Sequence, residues 1–282
     1  MNGTLKIPQP TWFVGCGNMG RAILDGWRMG GLDLSSVTVI RPSGQAIEGV
    51  EVVTSLGEAG PAPKLMVLAI KPQKLGEVAA ELYRHVGPDT IVLSILAGVE
   101  IATLKGYFPK AGGIMRAMPN LPVAVRRGVT GLVGEAGDWR LKQQIGDLFV
   151  ALGYAMWMAD EQKLAALGSV AGAGPAYVAR FIAALAKAGM RRGLSEDIAA
   201  TIAAETVFGT AWMAVASGET MDSVAKRVAS PKGTTQAGLD LLDREGVFDA
   251  LIAATIDAAA RRGAELAEEA KGASLAETER LH

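Results

Sequence analysis

Apolar residues follow two different rhythms along this chain. Through residue 158 they gather into short runs at 11–14, 36–40, 64–70, 90–96, 112–115, 129–133 and 154–158. The nearly continuous run at 64–70 suits a strand buried on both faces, and the β-branched run at 36–40 a second strand. Between the runs, stretches such as 19–27 and 138–152 carry apolar residues at helical spacing. Strands alternating with helices, each strand ending in small or turn residues, predict an α/β fold built on a doubly wound parallel sheet. Ligands of such sheets bind beyond the carboxyl ends of the strands.

From Glu161 the rhythm changes to alanine-rich helix. A flexible approach at 171–177 leads to Pro175 at a plausible first helical position. Tyr177, Val178, Phe181, Ile182 and Leu185 then share one helical face. Ser195 before Glu196 and Asp197 reads as an N-cap with first-turn acids, opening a helix towards Gly218. Thr220 opens another helix, which closes at the loop 230–235. Stretches 238–244 and 247–270 complete an all-α second half, with a tail from Gly272 expected to fray. The boundary is expected near Ala159, dividing the chain into a dinucleotide-binding domain over 1–159 and a helical domain over 160–282.

The chemistry concentrates where the first strand meets the first helix. Gly15, Gly17 and Gly20 stand in the spacing Gly-x-Gly-x-x-Gly, with Cys16, Asn18 and Met19 between them. The first glycine permits the tight turn, the second lets a phosphate approach the backbone, and the third lets helix and strand pack closely. A pyrophosphate there meets unpaired N–H groups and the positive end of a helix dipole, worth roughly 0.3–1 kcal/mol. The second strand ends at Arg41-Pro42-Ser43, where an NAD-binding version of this fold places an acid on the ribose 2′-hydroxyl. A cation and a hydroxyl suit a 2′-phosphate instead, so NADP is the expected cofactor. The plain alternative for Arg41 is a solvated loop cation.

Composition narrows the rest. The 282 residues suit two modest domains or one large one, and half of them are hydrophobic. No uninterrupted apolar run approaches the ~20 residues of a membrane helix. No charged-then-apolar leader is evident either, and the expectation is a soluble, cytoplasmic protein. One cysteine excludes an internal disulfide framework. Two histidines, His85 and His282, leave little for a metal cluster or a Ser-His-Asp triad, and no metal site is expected. A net charge of −1 argues against nucleic-acid or anionic-membrane partners. A mean hydropathy of +0.25 is high for a soluble monomer and points to apolar surface hidden in an oligomer.

Gly-x-Gly-Asn-Met-Gly, Ala-Ile-Lys-Pro-Gln at 69–73, Ser-Ile-Leu-Ala-Gly-Val at 94–99 and Arg-Ala-Met-Pro-Asn-x-Pro at 116–122 together resemble pyrroline-5-carboxylate reductase. Gly-x-Gly-Pro-Ala-Tyr at 172–177, Ser-Pro-x-Gly-Thr-Thr at 230–235 and Arg-Arg-Gly-Ala-Glu-Leu at 261–266 extend the resemblance over nearly the whole chain. It implies a Rossmann-like domain followed by an all-α dimerisation domain. It also implies a homodimer, or a higher oligomer built from dimers, with the active site between the domains of paired chains. The implied reaction is NADPH-dependent reduction of 1-pyrroline-5-carboxylate to proline, the last step of proline biosynthesis. Gly15 to Gly20, Arg41, Ser43, Ala69, Lys71, Pro72, Ala97 with Gly98, and Asn120 are implied to surround the dinucleotide. The family gives Lys71 a cofactor-side rather than a catalytic role. The loop of Ser230, Lys232, Gly233, Thr234 and Thr235, ahead of a helix, is suited to the substrate carboxylate through its backbone N–H groups. The resemblance implies that the Thr235 hydroxyl reaches the ring nitrogen as the catalytic contact, and Lys232 either faces the carboxylate or points to solvent. From composition alone, that loop is an ordinary helix cap using Thr234 or Thr235. Departures from the family pattern are Leu121 for threonine, Ala171 and Ala173 for serines, Glu205 for glutamine and Lys232 for glycine.

Three other readings stand beside this one. A β-hydroxyacid-type dehydrogenase shares the architecture, but needs a lysine base on the interdomain helix, and 175–186 contains none. A reductase of another cyclic imine carboxylate is the nearer alternative. The third is a non-catalytic NADP-binding regulator on the same fold.

Overall fold

The computed structural model describes residues 5–278, with side chains described to residue 269. The expected fraying from Gly272 falls partly outside this range, as does His282.

Eight strands form one sheet: β1 (Thr11–Val14), β2 (Val37–Ile40), β3 (Glu51–Val53), β4 (Leu65–Leu68), β5 (Ile91–Ser94), β6 (Gly113–Pro119), β7 (Gly128–Ala136) and β8 (Gly153–Trp157). Their spatial order is β3-β2-β1-β4-β5-β6-β7-β8. The third strand has no counterpart among the apolar runs, because it is only three residues long, with two valines behind an exposed Glu51. The helices packed with the sheet are α1 (Asn18–Met29), α2 (Leu75–Leu82), α3 (Ile101–Tyr107), α4 (Trp139–Val150) and α5 (Glu161–Leu167).

The sheet is not wholly parallel as expected, since β7 runs antiparallel to β6. Only residues 120–127 join those strands, much of them a 3-10 turn at Leu121–Val125. A parallel crossover needs roughly a dozen residues or more, so the chain turns back. Between β7 and β8 the full helix α4 intervenes, and those strands pair in parallel.

Side chains alternate across the buried strands as the pleat requires. Phe13 joins a core with Ile23, Trp27 and Phe149 on one face. Trp12 and Val14 join Leu82, Leu104 and Phe108 on the other. Trp27 is the keystone of the first core. It lies edge-on to Phe13 at 5.8 Å between centroids and donates its indole N–H to the Leu148 carbonyl at 2.9 Å.

The remaining helices are α6 (Gly174–Arg191), α7 (Glu196–Ser217), α8 (Met221–Val228), α9 (Thr234–Leu242) and α10 (Val247–Thr278). Compactness divides the chain into two units. The first runs to Ala173 and includes α10 from Ala259 onward; the second is Gly174–Ala258. The expected boundary at 159/160 therefore lies before the compact break. The reason is that α5 is bound to the sheet: Leu164 is fully buried, and Glu161 pairs with the buried Arg116 at 2.6 Å. The expected flexible approach after α5 is also ordered, beginning as a π-helical turn at Gly168–Gly172. Asn120 Nδ2 donates to the Ala171 carbonyl at 3.0 Å and holds that turn.

The second unit buries little of itself. α6 and α9 have no buried residue, and α7 buries only Ala199, Ala203 and Ala214. By length and composition, Glu161–Arg191 and Glu196–Ser217 are apolar enough to cross a membrane, although no uninterrupted apolar run of that length was evident. Phe208, Trp212 and Val215 on α7 are all more than half exposed.

Candidate functional site

A cleft of about 530 Å³ opens beyond the carboxyl ends of four adjacent strands. Gly15, Arg41, Ala69 and Ile95, which line it, each directly follow β1, β2, β4 and β5. The chain leaves β1 for β2 on one side and reaches β4 on the other, so the cleft sits at the topological switch point of the sheet.

The glycine turn builds its floor. Gly15 has φ +76°, and a Cβ there would stand 2.6 Å from Ile70 Cγ2 and 2.9 Å from the Ala69 carbonyl oxygen. Gly20 lies close under Ala69, where a Cβ would come within 3.3 Å of its methyl. At Gly17 nothing lies within 4 Å of the corresponding point, leaving that space for a ligand. Gly17 is also the N-cap of α1, with no side chain capping it and no acid in the first turn. The first N–H groups of α1 are thus available to an anion. Cys16 lines the cleft, nearly buried, and burial pushes its thiol pKa up against the opposing fields of Arg41 and Arg21.

The walls are cationic. Arg41 and Ser43 border the cleft from β2, and Lys71 from the turn after β4. Lys74, which the sequence reading passed over, borders it as well, and no acidic residue does. Among the described residues none of Arg41, Lys71 and Lys74 has a carboxylate partner. Arg41 makes one long contact, Nη2 to Gln45 Oε1 at 3.4 Å. The signal for Lys74 is its place in Lys-Pro-Gln-Lys, where proline opens a 3-10 turn directly after Lys71 and Lys74 ends it.

The structure brings Gly15, Cys16, Gly17, Asn18, Met19, Gly20, Arg41, Ser43, Ala69 and Lys71 together at this cleft. Pro72, Ala97, Gly98 and Asn120 do not line it. Pro72 starts the 3-10 turn beside Lys71. Ala97 is exposed beyond β5. Gly98 has φ +75°, and a Cβ there would stand 2.9 Å from the Leu266–Ala267 backbone of α10. The Asn120 carboxamide is occupied at both ends: besides holding Ala171, its Oδ1 accepts from the Val129 N–H at 2.8 Å.

The loop 230–235 lies in the helical unit. Gly233, not a threonine, is the N-cap of α9, and no side chain caps that helix. Thr234 and Thr235 are exposed and make no helix-cap bond, so the ordinary threonine cap is absent. Ser230 accepts the Gly233 N–H through its carbonyl at 2.9 Å. Lys232 is exposed with φ +60°, the left-handed region that residues with a Cβ seldom occupy.

Residues 161–266 match the family model described as pyrroline-5-carboxylate reductase dimerisation, and residues 12–98 one described as NADP oxidoreductase, coenzyme F420-dependent. The pyrroline-5-carboxylate reductase of Pseudomonas aeruginosa is 34% identical over 264 residues, covering 91% of this chain and 96% of that protein. The chain belongs to the pyrroline-5-carboxylate reductase family. A solved family structure from Coxiella burnetii superposes with a TM-score of 0.82 at 29% identity, covering 92% of this chain and 99% of that one. The pyrroline carboxylate reductase of Plasmodium falciparum, solved with NADP bound, shares the fold at a TM-score of 0.82 and 23% identity, covering 93% and 99% of the two chains. The dimerisation match falls on the helices with few buried side chains and marks the chain as homo-oligomeric.

Proposed function

We propose that this chain reduces 1-pyrroline-5-carboxylate to proline with NADPH, as the last step of proline biosynthesis in the cytoplasm. The observation that carries the reading is the cleft: a glycine turn at the switch point of the sheet, walled by three cations and no acid. The residues present fit a dinucleotide with an added phosphate. Gly17 leaves room for a pyrophosphate against the backbone, and Arg41 with Ser43 offers a charge-assisted site for a 2′-phosphate.

When bound, the reduced cofactor supplies a hydride to the C=N carbon of the cyclic imine, and is released oxidised. The imine nitrogen takes its proton from water, so no strong side-chain acid is required, in keeping with a chain of two histidines. The protein's part is to hold the ring and keep its geometry, with reacting atoms roughly 3–3.5 Å apart. In this reading the free N–H groups at the start of α9 receive the substrate carboxylate, and the Thr235 hydroxyl meets the ring nitrogen. Their freedom from capping bonds supports the assignment. Lys232 adds a cation beside that carboxylate. The oligomer is a homodimer, or a larger assembly of dimers, formed through the helical unit and completing the site with paired chains. The exposed apolar faces of α6 and α7 support a protein partner there in preference to a bilayer.

Following NADPH oxidation with pyrroline-5-carboxylate, beside a β-hydroxyacid and a six-membered cyclic imine carboxylate, tests the proposal. Turnover with the five-membered imine is expected to exceed the others. A preference for the larger ring moves the substrate, and no turnover with any of them overturns the enzyme reading.

A further inference from the structure

Lys74 lies one residue beyond the motif Ala-Ile-Lys-Pro-Gln, and in the reading above it counts only among the three cations of the cleft. It closes the 3-10 turn Pro72–Lys74, its N–H donating to the Lys71 carbonyl at 2.9 Å. Lys71 is the extended N-cap of that turn and Lys74 its last residue, and both border the cleft. Like charges lining one cleft repel, and no carboxylate among the described residues relieves them. The arrangement is made for an anion.

Which anion follows from what the rest of the cleft already satisfies. A pyrophosphate at the glycine turn is met by backbone N–H groups and the α1 dipole, without a side-chain cation. A phosphate monoester is different: it carries about −1.5 to −2 charges at neutral pH and three acceptor oxygens. The fork of Arg41 pairs with two of those oxygens at most and neutralises one charge. One oxygen and close to one charge remain. We propose that Lys74 reads the 2′-phosphate of NADPH from the β4 side of the cleft, sharing with Arg41 the discrimination against NADH. Selectivity is then divided between the turns after β2 and β4, and replacing Arg41 alone does not convert the chain to NADH.

The inference rests on the proposed use of NADPH, and direct titration separates it from the proposed reaction. NADPH, NADH, 2′,5′-ADP and 5′-AMP are titrated calorimetrically into the parent, Lys74→Gln and Lys74→Arg. Lys74→Gln is expected to weaken NADPH and 2′,5′-ADP by about tenfold, as loss of one charge-assisted contact does. NADH and 5′-AMP serve as controls for the folded cleft and are expected to bind as in the parent, while Lys74→Arg keeps most of the NADPH affinity. Equal weakening of NADPH and NADH would place Lys74 on the pyrophosphate and overturn the inference. Unchanged NADPH binding would overturn it too. A parent that fails to bind NADPH removes the cofactor reading and the clamp together. A parent that binds NADPH but leaves pyrroline-5-carboxylate unreduced refutes the reaction alone, and the titrations still decide the clamp.

Discussion

The two compact units of this chain solve the burial problem in opposite ways. Around the sheet, Trp12, Phe13, Trp27, Phe108 and Phe149 are all essentially inaccessible to solvent. In the helical unit Phe181, Phe208 and Trp212 are about half exposed or more, and the buried positions of α7 are alanines. Burial contributes roughly 25 cal/mol per Å² of apolar surface, so the first unit is stabilised within one chain. The second gains little until another surface covers it. The same hydrophobic content thus makes a core in one region and an interface in the other. Isolated apolar exposure is ordinary, but whole faces of neighbouring helices are not.

Breaking the core side of this contrast should have the largest effect. Trp27→Ala removes a buried indole together with its hydrogen bond to Leu148, and is expected to cost about 3–5 kcal/mol. Its loss is intrinsic to the chain. Denaturant midpoints measured across a range of protein concentrations should therefore show a similar deficit throughout. Next in size is Phe208→Asp on α7, with a charge set on the exposed face. A buried interface aromatic is worth roughly 2–4 kcal/mol to each subunit. Sedimentation should show smaller species, with the sheet unit's core unchanged by near-ultraviolet circular dichroism. An assembly of unaltered size would mean that this face of α7 is not where copies meet.

The smallest effect sharpens the comparison inside the helical unit. Lys232 occupies φ +60°, which glycine adopts without penalty, so Lys232→Gly should relieve about 1 kcal/mol of backbone cost. If the ammonium serves the substrate carboxylate, KM for pyrroline-5-carboxylate should rise about threefold even as the protein becomes more heat-resistant, an exposed ion pair being worth up to ~1 kcal/mol. A variant that is both more stable and tighter for substrate would show the lysine to be a pure burden on the loop.

Much of the fold was legible because its signals are local. The Gly-x-Gly-x-x-Gly turn, the apolar strands and the Thr220 cap of α8 each depend on residues a few positions apart. β3 escaped because three residues, one exposed and two valines, are too short to leave a pattern. The reversal of β7 was not foreseen because it depends on connection length rather than on strand composition. At the cleft, Arg41, Ser43 and Lys71 were marked by motif or position, while Lys74 needed the turn geometry to bring it round. Asn120 and Gly98 show the converse. Their motifs pointed to the cofactor, and their backbone surroundings show them engaged with the π-helical turn and with α10.

The sequence by itself determined where most strands and helices form, where the chain can bind a phosphate, and that the second half is helical. Those outcomes rest on dihedral preference, side-chain periodicity and the charge of neighbouring residues. Only the tertiary structure decided which cations share one acid-free cleft, that α5 belongs with the sheet, and that Lys232 sits in a left-handed conformation. Each of these depends on segments brought together across long stretches of chain, or on a backbone angle imposed by a closed loop. A residue's neighbours in sequence carry no record of either.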